Sequence, residues 1–210
     1  MIIILRGTDI LVMMTNMKNY TQNTFQNKEQ NIHRLSTPLT EEKIKNLKAG
    51  DTVYLSGTII SARDAAHKRI VESIISGKKL PVNLKNSTIF YAGPSPTPPG
   101  KKSGSIGPTT ASRMDSLTEP LLKEGLKAMI GKGRRSKEVV DLLKKYKAVY
   151  LVAVGGISAY LSTKVKSIKT IAYDDLGPEA IYEIEIENFP LFVAYDIYGG
   201  DIFESALLVE

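Results

Sequence analysis

Residues 148–154, A-V-Y-L-V-A-V, constrain the fold more than any other stretch of the chain. No charged residue interrupts the run, so it does not alternate as a strand with one wet face does. It reads instead as a strand covered on both faces. A chain that contains such a strand needs material on either side of a sheet, which points to a mixed α/β architecture with more than one layer. The flanks agree. Val139, Val140, Leu142 and Leu143 behind Ser136 predict a helix just upstream, and Gly155 and Gly156 turn the chain just downstream.

Working from the amino end, Thr40 followed by Glu41 and Glu42 predicts a short helix to about Leu47, ended by Ala49, Gly50 and Asp51. Residues 52–60 are β-branched and predict a strand with a bulge at Gly57. Asp64 predicts the N-cap of a helix to Ile75, with Ile70, Ile74 and Ile75 on its apolar face and Gly77 as its stop. Residues 87–92 predict a strand, and the four prolines of residues 93–100 a stiff loop. From Ser116, S-L-T-E resembles a capping box, and Leu121, Leu122, Leu126 and Met129 predict a helix ended by Gly131. Residues 157–165 predict a short helix, and residues 168–173, 180–186 and 191–197 predict strands, with Glu183, Glu185 and Glu187 on a solvated face.

A length of 210 residues suits one domain with a tail. Residues 15–34 are rich in Asn, Gln, Lys and Thr and offer few apolar anchors, so residues 1–34 are expected to form a loosely docked extension and residues 35–210 the folded domain. His33 is expected to be a solvated histidine of that tail. No apolar run approaches membrane-spanning length, and Arg6 and Asp9 interrupt the apolar start, so neither a membrane span nor a signal peptide is expected and the location expected is cytoplasmic. The absence of cysteine excludes disulfides, thiolate metal sites and a cysteine nucleophile. The formal charge of +6 hides a split: residues 170–210 carry ten acids and neither lysine nor arginine. A basic body with an acidic end suits an anion binder or a subunit that docks electrostatically.

Residues 103–115, S-G-S-I-G-P-T-T-A-S-R-M-D, stand out chemically. Hydroxyls, free backbone N–H groups and a guanidinium before a helix make a receptor for a carboxylate or phosphate. Arg63 falls at a strand-to-helix junction, and Lys132 lies between two glycines that let a backbone approach a ligand. His67, in a first helical turn, is expected to pack or hydrogen-bond rather than react. Phosphate-loop, dinucleotide and nucleophile-elbow patterns all fail, and two histidines leave little room for a catalytic triad.

Four ordered segments, S-G-T-I-I-S-A-R-D-A-A-H, Y-A-G-P, I-G-P-T-T-A-S-R-M-D and G-K-G, together resemble the beta subunit of class I fumarate hydratase and of L-tartrate dehydratase. The resemblance implies a swivelling β/β/α-type domain with mixed sheet layers and flanking helices. It implies Thr109 as the catalytic threonine, Arg63, Arg113 and Lys132 as carboxylate-binding residues with Thr110 beside them, and no metal on this chain. A [4Fe-4S] cluster would sit on a cysteine-containing alpha subunit, which would also supply an aspartate to Thr109. The substrate implied is malate or fumarate, with tartrate as the near rival, and the beta subunit alone is expected to be inactive and to pair as a homodimer in isolation. From other classes, the basic G-K-G-R-R-S-K turn suits a nucleic-acid-binding module, opposed by the lack of interleaved aromatics, and a non-catalytic assembly subunit is the third reading.

Overall fold

The structure, a computed structural model, describes residues 31–100 and 103–207. The readings of the apolar start and of the polar stretch up to residue 30 lie outside the described residues. Seven strands are described: β1 (Ile32–Ser36), β2 (Thr52–Ser61), β3 (Thr88–Phe90), β4 (Ala128–Gly131), β5 (Val149–Val152), β6 (Val165–Ala172) and β7 (Ile181–Tyr195). Six α-helices accompany them: α1 (Glu41–Ile44), α2 (Asp64–Ile75), α3 (Asp115–Lys123), α4 (Lys137–Tyr146), α5 (Ser158–Ser162) and α6 (Ile202–Leu207). The class is α/β, as the sequence predicts.

Strands β1 to β5 pair in chain order and in parallel, while β7 runs antiparallel to β2, β5 and β6. Because β7 pairs with both β2 and β5, the strands close on themselves. Side chains alternate between two cores as a strand requires. Phe90, Ala128, Ile130, Val149 and Leu151 point into the strand-enclosed core with Ile184, Ile186, Phe189 and Leu191. Ile89, Tyr91, Met129 and Tyr150 point the other way, to α2, α3 and α4 through Ile70, Leu121, Leu122, Val139 and Leu143. The buried-strand reading of residues 148–154 holds for Val149–Val152, where β5 is packed on both faces, whereas Val154 lies beyond the strand and is 48% exposed. Gly57 takes a φ of 101° where the β2–β7 register shifts, which is the bulge read from the sequence.

Several expectations are corrected. His33 is not a solvated tail residue: it lies in β1, two residues before the expected start of the folded part, and its Nε2 is 2.9 Å from Asp51 Oδ2. Ile75 is 78% exposed, and the buried face of α2 is Ala66, His67 and Ile70. The helix expected to run to Gly131 ends at Lys123; Gly125 turns the chain at a φ of 94°, and residues 128–131 form the central strand β4. Three apolar residues cannot separate helix from strand by period, so sheet pairing on both sides decides. No capping box forms, because Ser116 lies inside α3, which follows a 3-10 turn over Ala111–Met114. The two strands expected after residue 180 are one, β7, carried through Asn188 at a φ of 49°.

Candidate active site

The loops that leave the carboxyl ends of β2, β3 and β4 carry the side chains singled out in the sequence. Ser61 closes β2 by donating to the Ala92 carbonyl at 2.5 Å, and Ala62 N donates to Phe90 O. Arg63 follows in extended conformation as the last residue before α2. Beyond β3, Gly93 makes room for it. A Cβ there would lie 3.3 Å from both Cδ and Nη1 of Arg63 and would strike the Pro178 carbonyl. A side chain at residue 93 would force the backbone at Pro178 to shift and would crowd the arginine.

The stretch around Thr109 and Thr110 is stitched to the same edge. Thr109 N donates to Tyr91 O at 2.6 Å, Lys132 N donates to Thr109 O at 3.1 Å, and Ala111 N donates to Lys132 O at 2.9 Å. Thr110 and Lys132 thus form an isolated parallel bridge just beyond β4. The 3-10 turn over Ala111–Met114 then carries Arg113 to α2, where its Nε donates to Asp64 Oδ1 at 2.9 Å. Contacts run from Lys132 to Thr109, through the turn to Arg113, across to Asp64 and Arg63, and back through Gly93 and Tyr91 to Thr109. All five residues singled out in the sequence lie on this circuit.

The hydroxyls decide between two uses of the threonines. The ordinary structural role would be capping of the turn that follows. Thr110 occupies the cap position of the 3-10 turn, but its side chain makes no capping hydrogen bond. Neither threonine hydroxyl has a partner among the described residues. Both backbone groups of Thr109 are held, so its side chain is anchored while its hydroxyl stays uncommitted.

The arginines are partly committed. Arg63 Nη2 lies 3.5 Å from Glu179 Oε1, and the other Glu179 oxygen accepts from Ala65 N at 2.9 Å. The amino terminus of α2 is therefore already met by Glu179. Lys132 is exposed and has no ion pair among the described residues.

A buried network around Arg135, which carried no signal in the sequence, lies behind these residues. Arg135 is completely buried and holds Asp115 Oδ1 at 2.6 Å, Thr118 Oγ1 at 2.7 Å and Tyr91 Oη at 3.3 Å. The second Asp115 oxygen accepts from Ser136 N, and Tyr150 Oη donates to Gly133 O. This network fixes the G-K-G-R-R turn against α3 and beneath Lys132. Burial raises the pKa of the Tyr91 and Tyr150 phenols, so both stay protonated donors. His67 is fully buried edge-on to Tyr91; its Nδ1–H donates to Arg63 O at 2.9 Å, and burial lowers its pKa to about 4. It packs and hydrogen-bonds, as expected. A cavity of about 540 Å³ lined by residues including Gly57, Lys85 and Thr88 lies toward the other end of β3 and includes none of the five residues.

The chain offers no ligand set for an iron–sulfur cluster: it has no cysteine, and no group of three His, Asp or Glu among the described residues could hold a metal.

Fold and site together define an α/β domain with an open, partly basic site at its strand ends. The family described as Fumarase C-terminus matches residues 8–206, and the chain belongs to that family. The aerobic class I fumarate hydratase of Escherichia coli K12 is 41% identical over 180 residues, covering 84% of this chain and 33% of that protein. The putative L(+)-tartrate dehydratase subunit beta of Methanocaldococcus jannaschii is 43% identical over 177 residues, 80% of this chain and 89% of that one. The corresponding E. coli K12 subunit is 31% identical over 173 residues, 80% and 85% of the two chains. The chain thus spans about a third of the fumarate hydratase it matches and most of each tartrate dehydratase beta subunit.

Proposed function

We propose that this chain is the beta subunit of a hydro-lyase that interconverts (S)-malate and fumarate, with L-tartrate as the alternative substrate. The observation that carries the reading is the circuit joining Thr109, Arg113, Arg63 and Lys132 around one sheet edge, with both threonine hydroxyls left uncommitted.

The substrates are compact dianions, and guanidinium forks bind carboxylates bidentately and directionally. Removing a proton beside a carboxylate builds negative charge on that carboxylate, so fixed cations favour the transition state over the ground state. Arg113, Arg63 and Lys132 are assigned that work. Thr109 is assigned the proton transfer and Thr110 a substrate contact. A threonine hydroxyl is a weak base on its own and needs a carboxylate within hydrogen-bond reach, which we assign to the alpha subunit. A [4Fe-4S] cluster held by that subunit would supply the Lewis acid for the departing hydroxyl.

Electrostatics supports a divided site. Asp64 and Glu179 already offset the two arginines, which leaves Lys132 as the unpaired cation of the group. One net positive charge is a poor match for a dianion, so further cationic character is expected from across the interface.

The test is kinetic. In the complex purified with its cysteine-bearing partner, Arg113→Ala should lower turnover of the preferred substrate by orders of magnitude while the subunits still co-elute. Malate and tartrate assayed side by side assign the substrate. Near-wild-type turnover of Arg113→Ala on both would remove the residue from the site.

A further inference from the structure

Asp64 is the first residue of α2, after Arg63 at the N-cap position, and its carboxylate makes no hydrogen bond to the helix's own first-turn amides. Its Oδ1 accepts from Arg113 Nε at 2.9 Å, its Oδ2 is buried without a hydrogen-bond partner, and the first-turn amide of Ala65 is taken by Glu179 instead. The carboxylate is thus turned away from its helix and toward the 3-10 turn.

Stability does not explain the arrangement. The Arg113 side chain is 49% exposed, and ion pairs with so exposed a partner contribute little to folding. The local polar balance is also poor: Arg63 Nε, Asp64 Oδ2 and His67 Nε2 are all buried without partners, and the three sit within the first turn of α2. Unsatisfied buried groups concentrated in one place are the mark of a site kept for something other than stability.

What the contact accomplishes is geometric. A guanidinium has two edges that can face a carboxylate side-on: the Nε edge and the edge formed by the two terminal nitrogens. Asp64 occupies Nε, and neither Nη of Arg113 has a partner among the described residues. The long side chain, otherwise free to swing, is held with its terminal edge unoccupied.

We infer that Asp64 is the positioning residue of Arg113: it fixes the guanidinium by its Nε edge and so presents the Nη1–Nη2 edge to one carboxylate of the substrate. The inference rests on the reading of the chain as a dicarboxylate hydro-lyase subunit.

Two measurements test it. In the complex, Asp64→Ala should raise KM for the dicarboxylate about 10- to 100-fold, the range of a hydrogen bond to a charged group. The double variant Asp64→Ala/Arg113→Ala should be no worse than Arg113→Ala alone, and Asp64→Asn, which keeps one acceptor oxygen, should fall between Asp64→Ala and wild type. Independently of turnover, the Arg113 Nε–H resonance of the isotope-labelled chain should be protected from solvent exchange at neutral pH and lose that protection in Asp64→Ala. If Asp64→Ala does not fold, Asp64→Asn carries both measurements, with a smaller change in the same direction expected. A wild-type KM in the Asp64 variants, fully multiplicative losses in the double variant, or an unchanged resonance would each overturn the assignment. If Arg113→Ala is itself without effect, the hydro-lyase reading falls, and this inference with it; if Arg113→Ala is crippled and Asp64→Ala is not, only the inference falls.

Discussion

Thr109 and Thr110 are adjacent in sequence, yet the structure treats them differently. Thr109 is held at both its amide and its carbonyl, whereas Thr110 is exposed at the cap of a short turn that it does not cap. If Thr109 transfers the proton, Thr109→Val should lower kcat by at least about 100-fold, the ordinary scale for loss of a positioned acid–base group, and Thr109→Ser should retain most of it. Thr110→Val should act mainly on KM. Equal losses of kcat from both valine variants, measured by steady-state kinetics, would contradict the assignment. Of the candidate site residues, Arg63, Thr109, Arg113 and Lys132 were singled out because their segments have a distinctive order. Asp64 was read as the N-cap of α2, a position that Arg63 occupies instead, and nothing in a sequence shows a carboxylate pairing with a side chain 49 positions away. Glu179 carried no signal at all, since it reaches Arg63 from 116 positions further along the chain. His67 yields a prediction of a different kind. Its folded pKa of about 4 lies below the ordinary 6.5, so the unfolded chain binds the extra proton between those values. Stability is therefore full above pH 6.5, falls as pH drops through that window, and levels off below about 4, a loss of about 3 kcal/mol. His67→Leu should remove this part of the slope, as read from urea unfolding at several pH values.

At the level of elements, the site depends on close approach and on one buried charge. Gly93 lets the loop after β3 pass Arg63 and the Pro178 carbonyl without contact. Gly93→Ala should force the backbone around residues 178–179 to shift, costing about 1–3 kcal/mol in thermal unfolding and raising KM with it, because Glu179 no longer meets Arg63. The Arg135–Asp115 pair is a stronger dependence. Arg135→Met leaves Asp115 half-buried without its partner and should cost about 3–5 kcal/mol in urea unfolding; an unchanged midpoint would show that the pair is not structural. The elements themselves were legible wherever the period was long enough. α4 and β2 follow their sequence patterns closely, α2 keeps its expected bounds but not its expected cap or apolar face, and the bulge at Gly57 was marked by its glycine. β4 was not legible, because three apolar residues after a helix continue its period by chance. Only pairing with β3 and β5, remote in sequence, makes them a strand.

The whole molecule turns its uneven charge inward more than the sequence suggests. The acidic segment after residue 170 meets the basic body within the same chain. Glu183 pairs with Lys169, Glu187 with Lys166, Asp175 with Arg69 and Glu179 with Arg63. The β6–β7 pairing and the placement of residues 174–179 over α2 produce these contacts, so the charge split reflects internal pairing as well as any docking. What the folded chain presents is the edge lined by Thr109, Arg113 and Lys132, with uncommitted hydroxyls and an unpaired cation and, among the described residues, no group of three side chains able to hold a metal. The central claim is that this edge is half of an active site. It is tested most directly by assaying malate dehydration and fumarate hydration anaerobically with this chain alone, with its cysteine-bearing partner alone, and with the two combined. The account predicts turnover only in the combined sample; robust hydratase activity from this chain alone would contradict it.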